Sequence, residues 1–263
     1  MEVIICSDAS RVGEVAAAKI ARVALDAGPS VVLGVATGSS PLHAYAALAQ
    51  RVADGRLDLS SAQAFALDEY VGLPADHPQR YAEVIRRTVT EPLRMAPDHV
   101  HCPDGLADDL DAACQAYEDA IRAVGGVDVQ LLGVGANGHI GFNEPTSSLS
   151  SRTRIKTLTR RTRLDNQRFF GSLDEVPMHC LTQGLGTIMD ARHVVLVAQG
   201  AAKAKAIAAV VEGPVSAMCP GSVLQMLQHA TIVVDEAAAA QLTLREYYLD
   251  TYAGKPLWQS FER

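Results

Sequence analysis

Short apolar runs alternate with amphipathic stretches along the chain. Residues 3–6, 31–35, 63–67, 127–134, 193–198 and 231–234 are apolar-rich and of strand length. Between the first two, Val12, Val15, Ala16, Ile20, Val23 and Ala27 recur at helical spacing behind a capping Asp8 or Ser10, and Gly28-Pro29 stops that helix. Further helices are predicted from Pro41 to about residue 52, over 81–89, 108–124, 181–189 and 201–211, and from Glu236 onward. Strands this apolar, each followed by a helix, are buried on both faces. The pattern therefore predicts an α/β fold: a Rossmann-like open, mostly parallel sheet with helices on both faces. No linker divides the chain, so residues 1–263 are expected to form a single domain.

One segment departs from the alternation. From 147 to 170 the chain carries Arg152, Arg154, Lys156, Arg160, Arg161, Arg163 and Arg168 with almost no acids. In extended backbone Arg152, Arg154 and Lys156 share one face and Thr153, Ile155 and Thr157 the other. Such a face suits a phosphate, a solvated surface or an acidic neighbouring subunit. The length and polarity of 150–176 predict a mobile lid.

Composition narrows the class. A net charge of -7 argues against general nucleic-acid binding, so an anionic ligand needs a local basic site. No run approaches the ~18 apolar residues of a membrane span. The start, Met1-Glu2-Val3-Ile4-Ile5, is unlike a signal peptide, and a cytoplasmic location is expected. The five cysteines are scattered, with no zinc-ligand spacing, and read as reduced thiols. His99, His101 and Cys102 are the one dense group of potential metal ligands; a strand or loop edge is the competing explanation.

The chemistry concentrates where predicted strands end. Residues 133–145 read Gly-Val-Gly-Ala-Asn-Gly-His-Ile-Gly-Phe-Asn-Glu-Pro. By letter Gly133-x-Gly135-x-x-Gly138 matches a dinucleotide fingerprint, but Gly141 and Pro145 interrupt the helix it requires, and basic residues stand where its acid belongs. The loop reads instead as an acid–base group, with His139 as proton carrier and Glu144 to orient and polarise its ring. Asn137 can hold the imidazole or a substrate hydroxyl but adds no charge. A structural histidine satisfying loop carbonyls is the alternative. The turn Thr37-Gly38-Ser39-Ser40, ahead of Pro41 and a helix, offers hydroxyls, free N–H groups and a helix dipole to a phosphate, or else simply caps the helix. Asp68, after the strand at 63–67, and Lys203, after that at 193–198, fall on the same rim, where open parallel sheets bind ligands. Asp68 is a candidate general base.

With these residues in view, the sequence closely resembles the glucosamine-6-phosphate deaminase (glucosamine-6-phosphate isomerase) family. The matching stretches are Ala36-Thr-Gly-Ser-Ser-Pro41, Leu67-Asp-Glu-Tyr-Val-Gly-Leu73, Gly133 to Pro145, and Ser147-Ser-Leu-Ser-Ser-Arg-Thr-Arg-Ile-Lys-Thr157. The resemblance implies conversion of glucosamine 6-phosphate and water to fructose 6-phosphate and ammonia, without metal or organic cofactor. By position, it implies ring opening by His139 with Glu144 and Asn137, and proton transfer between C2 and C1 by Asp68. It assigns the phosphate to Thr37, Gly38, Ser39, Ser40, Arg168 and Lys203. Some members carry aspartate at position 137; here Asn137 orients while Glu144 supplies the charge. The resemblance also implies an allosteric site for N-acetylglucosamine 6-phosphate at Ser147, Arg154, Lys156 and Thr157, and allows hexamers or monomers. A 6-phosphogluconolactonase, a galactosamine-6-phosphate isomerase and a non-catalytic sugar-phosphate sensor are the competing readings.

Overall fold

In the computed structural model, which describes residues 1–261, the six apolar runs become β1 (Glu2–Cys6), β2 (Val32–Val35), β3 (Gln63–Ala66), β6 (Val129–Leu132), β9 (His193–Ala198) and β10 (Ala230–Asp235), and an edge strand that the pattern did not predict, β5 (Val100–His101), joins them. They form one sheet in the order β1-β10-β9-β6-β2-β3-β5, parallel throughout. Side chains alternate between its faces, so each strand feeds two cores. Leu33, Val35, Leu131, Val195 and Val233 point to the side covered by α1 (Ala9–Ala27) and α2 (Leu42–Ala53). Val32, Leu132, Val194, Leu196 and Ile232 point to the side covered by α4 (Leu110–Ala123), α6 (Leu185–Met189) and α7 (Ala204–Val211). Asp8 caps α1, its carboxylate accepting the Arg11 N–H at 2.9 Å, as its position before the apolar stripe predicts. No described helix is long and apolar enough to cross a membrane.

A second sheet was not legible in the hydrophobic pattern. β4 (Asp68–Tyr70) follows β3 after Leu67 and leaves the main sheet to pair antiparallel with β8 (His179–Thr182), which pairs in turn with β7 (Arg154–Thr157). Asp68 is thus a strand residue rather than the start of a loop. β8 also corrects the helix expected over 181–189: Leu181 belongs to the strand between Glu69 and Ile155, and the helix begins only at Leu185. Leu181, Leu185 and Ile188 happen to share helical spacing, and strand pairing overrides it.

Two further boundaries differ. The helix over 81–89 is α3 (Tyr81–Ile85) continued by one π-helical turn, Arg86–Thr90. The last helix begins at Arg245, as α8 (Arg245–Ala253), instead of at Glu236. The Glu212 carboxylate captures the N–H groups of Thr243 and Leu244 at 2.8 and 2.9 Å and the Thr243 hydroxyl at 2.8 Å, which holds the chain in a turn ahead of it. In the C-terminal segment Tyr248 reaches Glu212, while Tyr247 and Trp258 are exposed.

The segment expected as a lid is anchored at one end. Glu118 of α4 is buried and accepts the Thr153 N–H at 2.8 Å, the Thr153 and Thr187 hydroxyls at 2.5 and 2.6 Å, and the Arg152 guanidinium at 2.7 Å. Arg152 also pairs with Asp190 at 2.7 Å. It is therefore committed to carboxylates and does not join a free basic face with Arg154 and Lys156. Beyond β7, α5 (Arg160–Asn166) and the turn Gln167–Phe169 carry the chain back across the sheet's rim.

Candidate active site

The chain reverses direction across the sheet between β2 and β6, and the loops after these two strands leave toward opposite faces. That opens a crevice at the carboxyl ends of the strands, where such sheets bind ligands. The turn after β2 brings Thr37 to Ser40, the loop after β6 brings residues 133–145, the exit of β9 brings Lys203, and β3 leads into Asp68.

In the 133–145 loop the backbone is folded tightly on itself. Gly135 N–H donates to His139 O at 2.9 Å, and Gly138 and Gly141 adopt φ of +83° and +56°. Gly135 answers a different need: a Cβ there would lie 2.2 Å from His139 Cε1, so the imidazole rests directly on bare backbone. His139 Nδ1 is 3.6 Å from Glu144 Oε2. The same Oε2 accepts the Asn137 amide at 2.7 Å, and Asn137 Oδ1 accepts the His139 backbone N–H at 3.2 Å. Asn137 thus binds the carboxylate and the histidine's backbone, and not its ring. Glu144 is only 6% exposed. Burial works to raise its pKa, but the nearby His139 ring and hydrogen bonds from Thr162 and Asn137 outweigh it and draw the value down to about 2.

Asp68 stands in a different environment. It is 5% exposed, and burial, with some help from the neighbouring Glu69 charge, pushes its carboxyl up to about 8. Glu69 points away on the opposite side of β4, where it accepts the N–H groups of Tyr70, Tyr81 and Ala82 at 2.8 to 2.9 Å and fixes the start of α3. Asp68 is in register with Thr182, whose hydroxyl accepts the Phe142 N–H at 3.1 Å. The strand bearing Asp68 is thereby tied to the loop bearing His139.

The cationic groups join the rim at the start of the same loop. Lys203 Nζ donates to Val134 O at 2.7 Å, and burial, followed by the nearby Arg168 charge, lowers its pKa. Gln199 donates to Ser40 O at 3.2 Å, tying the exit of β9 to the Thr37–Ser40 turn, in which Gly38 has φ +94°. The structure so brings Thr37, Gly38, Ser39, Ser40, Lys203 and Arg168 to the same rim as Asp68, Asn137, His139 and Glu144.

The remaining predicted residues are placed less compactly. Ser147 is buried at the end of the loop, its N–H on Glu144 O at 3.1 Å, and its hydroxyl finds no partner among the described residues. Arg154, Lys156 and Thr157 lie on β7, the first two half-buried, with Thr157 Oγ1 3.3 Å from His179 Nδ1. His101 sits on the short edge strand β5 with its ring stacked on Phe65 at 4.7 Å, and no group of three or more His, Cys, Asp or Glu among the described residues could hold a metal ion. Sequence reasoning missed Thr159 and Thr162, whose hydroxyls meet Glu144 Oε1. Their spacing at the head of a helix is a capping signal and could have drawn notice. It also missed Asn166, which donates to the Tyr70 hydroxyl at 3.0 Å.

Fold and site together define an α/β enzyme whose crevice brings buried carboxyls, a histidine and two cationic side chains to one rim. The chain belongs to the family of glucosamine-6-phosphate isomerases and 6-phosphogluconolactonases, whose profile matches residues 7–233. It is 63% identical over 248 residues to the glucosamine-6-phosphate deaminase of Cutibacterium acnes, covering 94% of this chain and 95% of that one. Among solved structures it is similar to a monomeric glucosamine-6-phosphate deaminase of the NagB superfamily, with 36% identity, a TM-score of 0.88, and coverage of 92% of this chain and all of that one. The 6-phosphogluconolactonase of Trypanosoma brucei shares the fold, with a TM-score of 0.76 at 17% identity over 92% of this chain and 98% of that one.

Proposed function

We propose that the protein converts glucosamine 6-phosphate and water to fructose 6-phosphate and ammonia. The observation that carries this reading is Asp68, a carboxyl that burial brings to about 8, beside a histidine–carboxylate pair on the same rim. A group that must take a proton from one carbon and return it to the next works best when its pKa lies near the operating pH. A strongly acidic carboxylate would accept the proton poorly, and a permanently protonated one could not accept it.

Each residue then has a role. The Thr37–Ser40 turn, Lys203 and Arg168 hold the phosphate. His139 takes the proton of the C1 hydroxyl and a proton is returned to the ring oxygen as the C1–O5 bond breaks, which leaves the open-chain aldehyde. Glu144 remains ionised and stabilises the imidazolium form, and Asn137 holds Glu144 in place. Asp68 removes the C2 proton, the electron pair moves to form an enolamine, and the same carboxyl delivers the proton to C1. The resulting C2 imine is hydrolysed, with ammonia as leaving group.

Activation by N-acetylglucosamine 6-phosphate at Ser147, Arg154, Lys156 and Thr157 is part of the same proposal. The unpartnered Ser147 hydroxyl, three residues from Glu144, supports it. The solved deaminase relative is monomeric, which supports a monomeric enzyme here as well. The test is ammonia release from glucosamine 6-phosphate, with galactosamine 6-phosphate and 6-phosphogluconolactone alongside, with and without the acetylated sugar phosphate. Release from the first substrate alone is expected; release from neither amino sugar overturns the function, and a rate indifferent to the acetylated compound removes the activator.

A further inference from the structure

The Glu144 carboxylate has two sides. Oε2 faces Asn137 and His139, the partners that the proposed chemistry uses. Oε1 faces the opposite way, toward the head of α5, where it accepts the Thr162 hydroxyl and lies 3.3 Å from Thr159 Oγ1. Thr159 has a separate duty as the N-cap: its hydroxyl oxygen accepts the Thr162 N–H at 3.2 Å. Thr159 thus starts the helix, and its hydroxyl also lies 3.0 Å from Thr162 Oγ1, while Thr162 makes the closer contact with the carboxylate. Thr162 is buried.

The other end of α5 is also fastened within the site. Asn166 donates to Tyr70, two residues from Asp68 on β4, and the next turn carries Arg168. One helix of about two turns thus touches the carboxylate behind His139 at its head and the phosphate cradle at its tail. A carboxylate on a two-carbon stem rotates freely unless both oxygens are held, and reaction rates fall steeply when a proton-transfer partner is misaligned.

We infer that Thr162 is a positioning residue for ring opening: its hydroxyl fixes Glu144 in the orientation that polarises His139 and couples that orientation to the seating of α5. The inference rests on the proposed role of the His139–Glu144 pair. Donation from Thr162 is also one of the hydrogen bonds that hold Glu144 ionised. Thr162 meets Glu144, and no hydrogen bond joins it to Asp68 among the described residues, so its loss is expected to act on ring opening rather than on the C2 proton transfer.

The experiment uses the full chain and glucosamine 6-phosphate bearing hydrogen or deuterium at C2, with wild type, Thr162→Val, Thr162→Ser and Glu144→Gln checked for folding by circular dichroism. Thr162→Val keeps shape and N-cap but removes the donor. It is expected to lower kcat about ten- to a hundredfold, the worth of a hydrogen bond to a charged group. KM should stay within about threefold. Because ring opening becomes slower than C2–H cleavage, the deuterium effect should shrink below the wild-type value. Thr162→Ser should restore both.

An unchanged kcat, a reduced kcat with an undiminished isotope effect, or no rescue by serine overturns the inference. Should the valine variant not fold, Thr162→Ala removes the same hydroxyl without adding bulk and is read by the same criteria. Wild-type kinetics in Glu144→Gln would overturn the underlying reading of the carboxylate. An impaired Glu144→Gln beside a normal Thr162→Val overturns the role of Thr162 alone.

Discussion

The Asn137 amide donates to Glu144 Oε2 at 2.7 Å, so the charge behind His139 is steadied by a neutral neighbour. An amide can hold a carboxylate without competing for its proton or repelling it. Asn137→Ala removes this donor and also the acceptor for the His139 N–H. It is expected to lower kcat/KM about ten- to a hundredfold, measured by ammonia release.

Asp68→Asn keeps the shape of the group and removes its basicity. A fall in kcat of about a thousandfold or more is expected, the usual worth of a positioned acid–base group. In the wild type, kcat/KM should rise with pH toward about 8, the pKa of the free carboxyl.

The same substitution should stabilise the fold, and the sign follows from the raised pKa. The folded state holds the Asp68 proton more tightly than the unfolded chain, so the protonated form costs nothing at low pH. The cost of ionising the buried carboxyl grows as pH climbs from the ordinary aspartate value of 3.8 to about 8 and is constant above it. Thermal melts of Asp68→Asn and wild type should therefore coincide near pH 4 and diverge up to pH 8, the variant melting higher. A gap that closes with rising pH would contradict the burial of Asp68.

Gly135→Ala places a methyl carbon where the His139 ring lies, 2.2 Å from Cε1. Gly135 has no positive φ, so the cost falls on the ring and not on the backbone. Loss of kcat by about a hundredfold with a melting temperature within a few degrees of wild type is expected.

Lys203→Met retains the apolar stem and removes the charge beside Arg168. If the two cations share the phosphate, KM should rise about ten- to a hundredfold with a smaller change in kcat, since the bond is made to substrate and transition state alike. Steady-state kinetics over a wide substrate range separates the two.

Much of this arrangement was legible in the chain because parallel strands leave a continuous apolar signature. Leu131, Val195 and Val233 are buried on every side and could be read without knowing their neighbours. The loop residues His139 and Glu144 were legible for a related reason: polar groups and glycines crowded between a strand and a proline have few structural explanations. Leu181 was misread because it stands at helical spacing from Leu185 and Ile188, and only its partners, Glu69 and Ile155, mark it as a strand residue. Thr162 offered only a capping signal, from its spacing to Thr159, and nothing in the chain said that its hydroxyl would turn toward Glu144.

The pairings that place Asp68 have a consequence for synthesis on the ribosome. Asp68 emerges early, yet the strand that fixes it is completed only at Thr182, and β1 finds its partner only when β10 appears. Contacts between such distant segments form late and slowly. A nascent chain that has exposed Thr37, Asp68 and His139 still lacks the strands that bring them to one rim, so, on the proposed function, activity should switch on in a single step near the end of translation and not accumulate in parts.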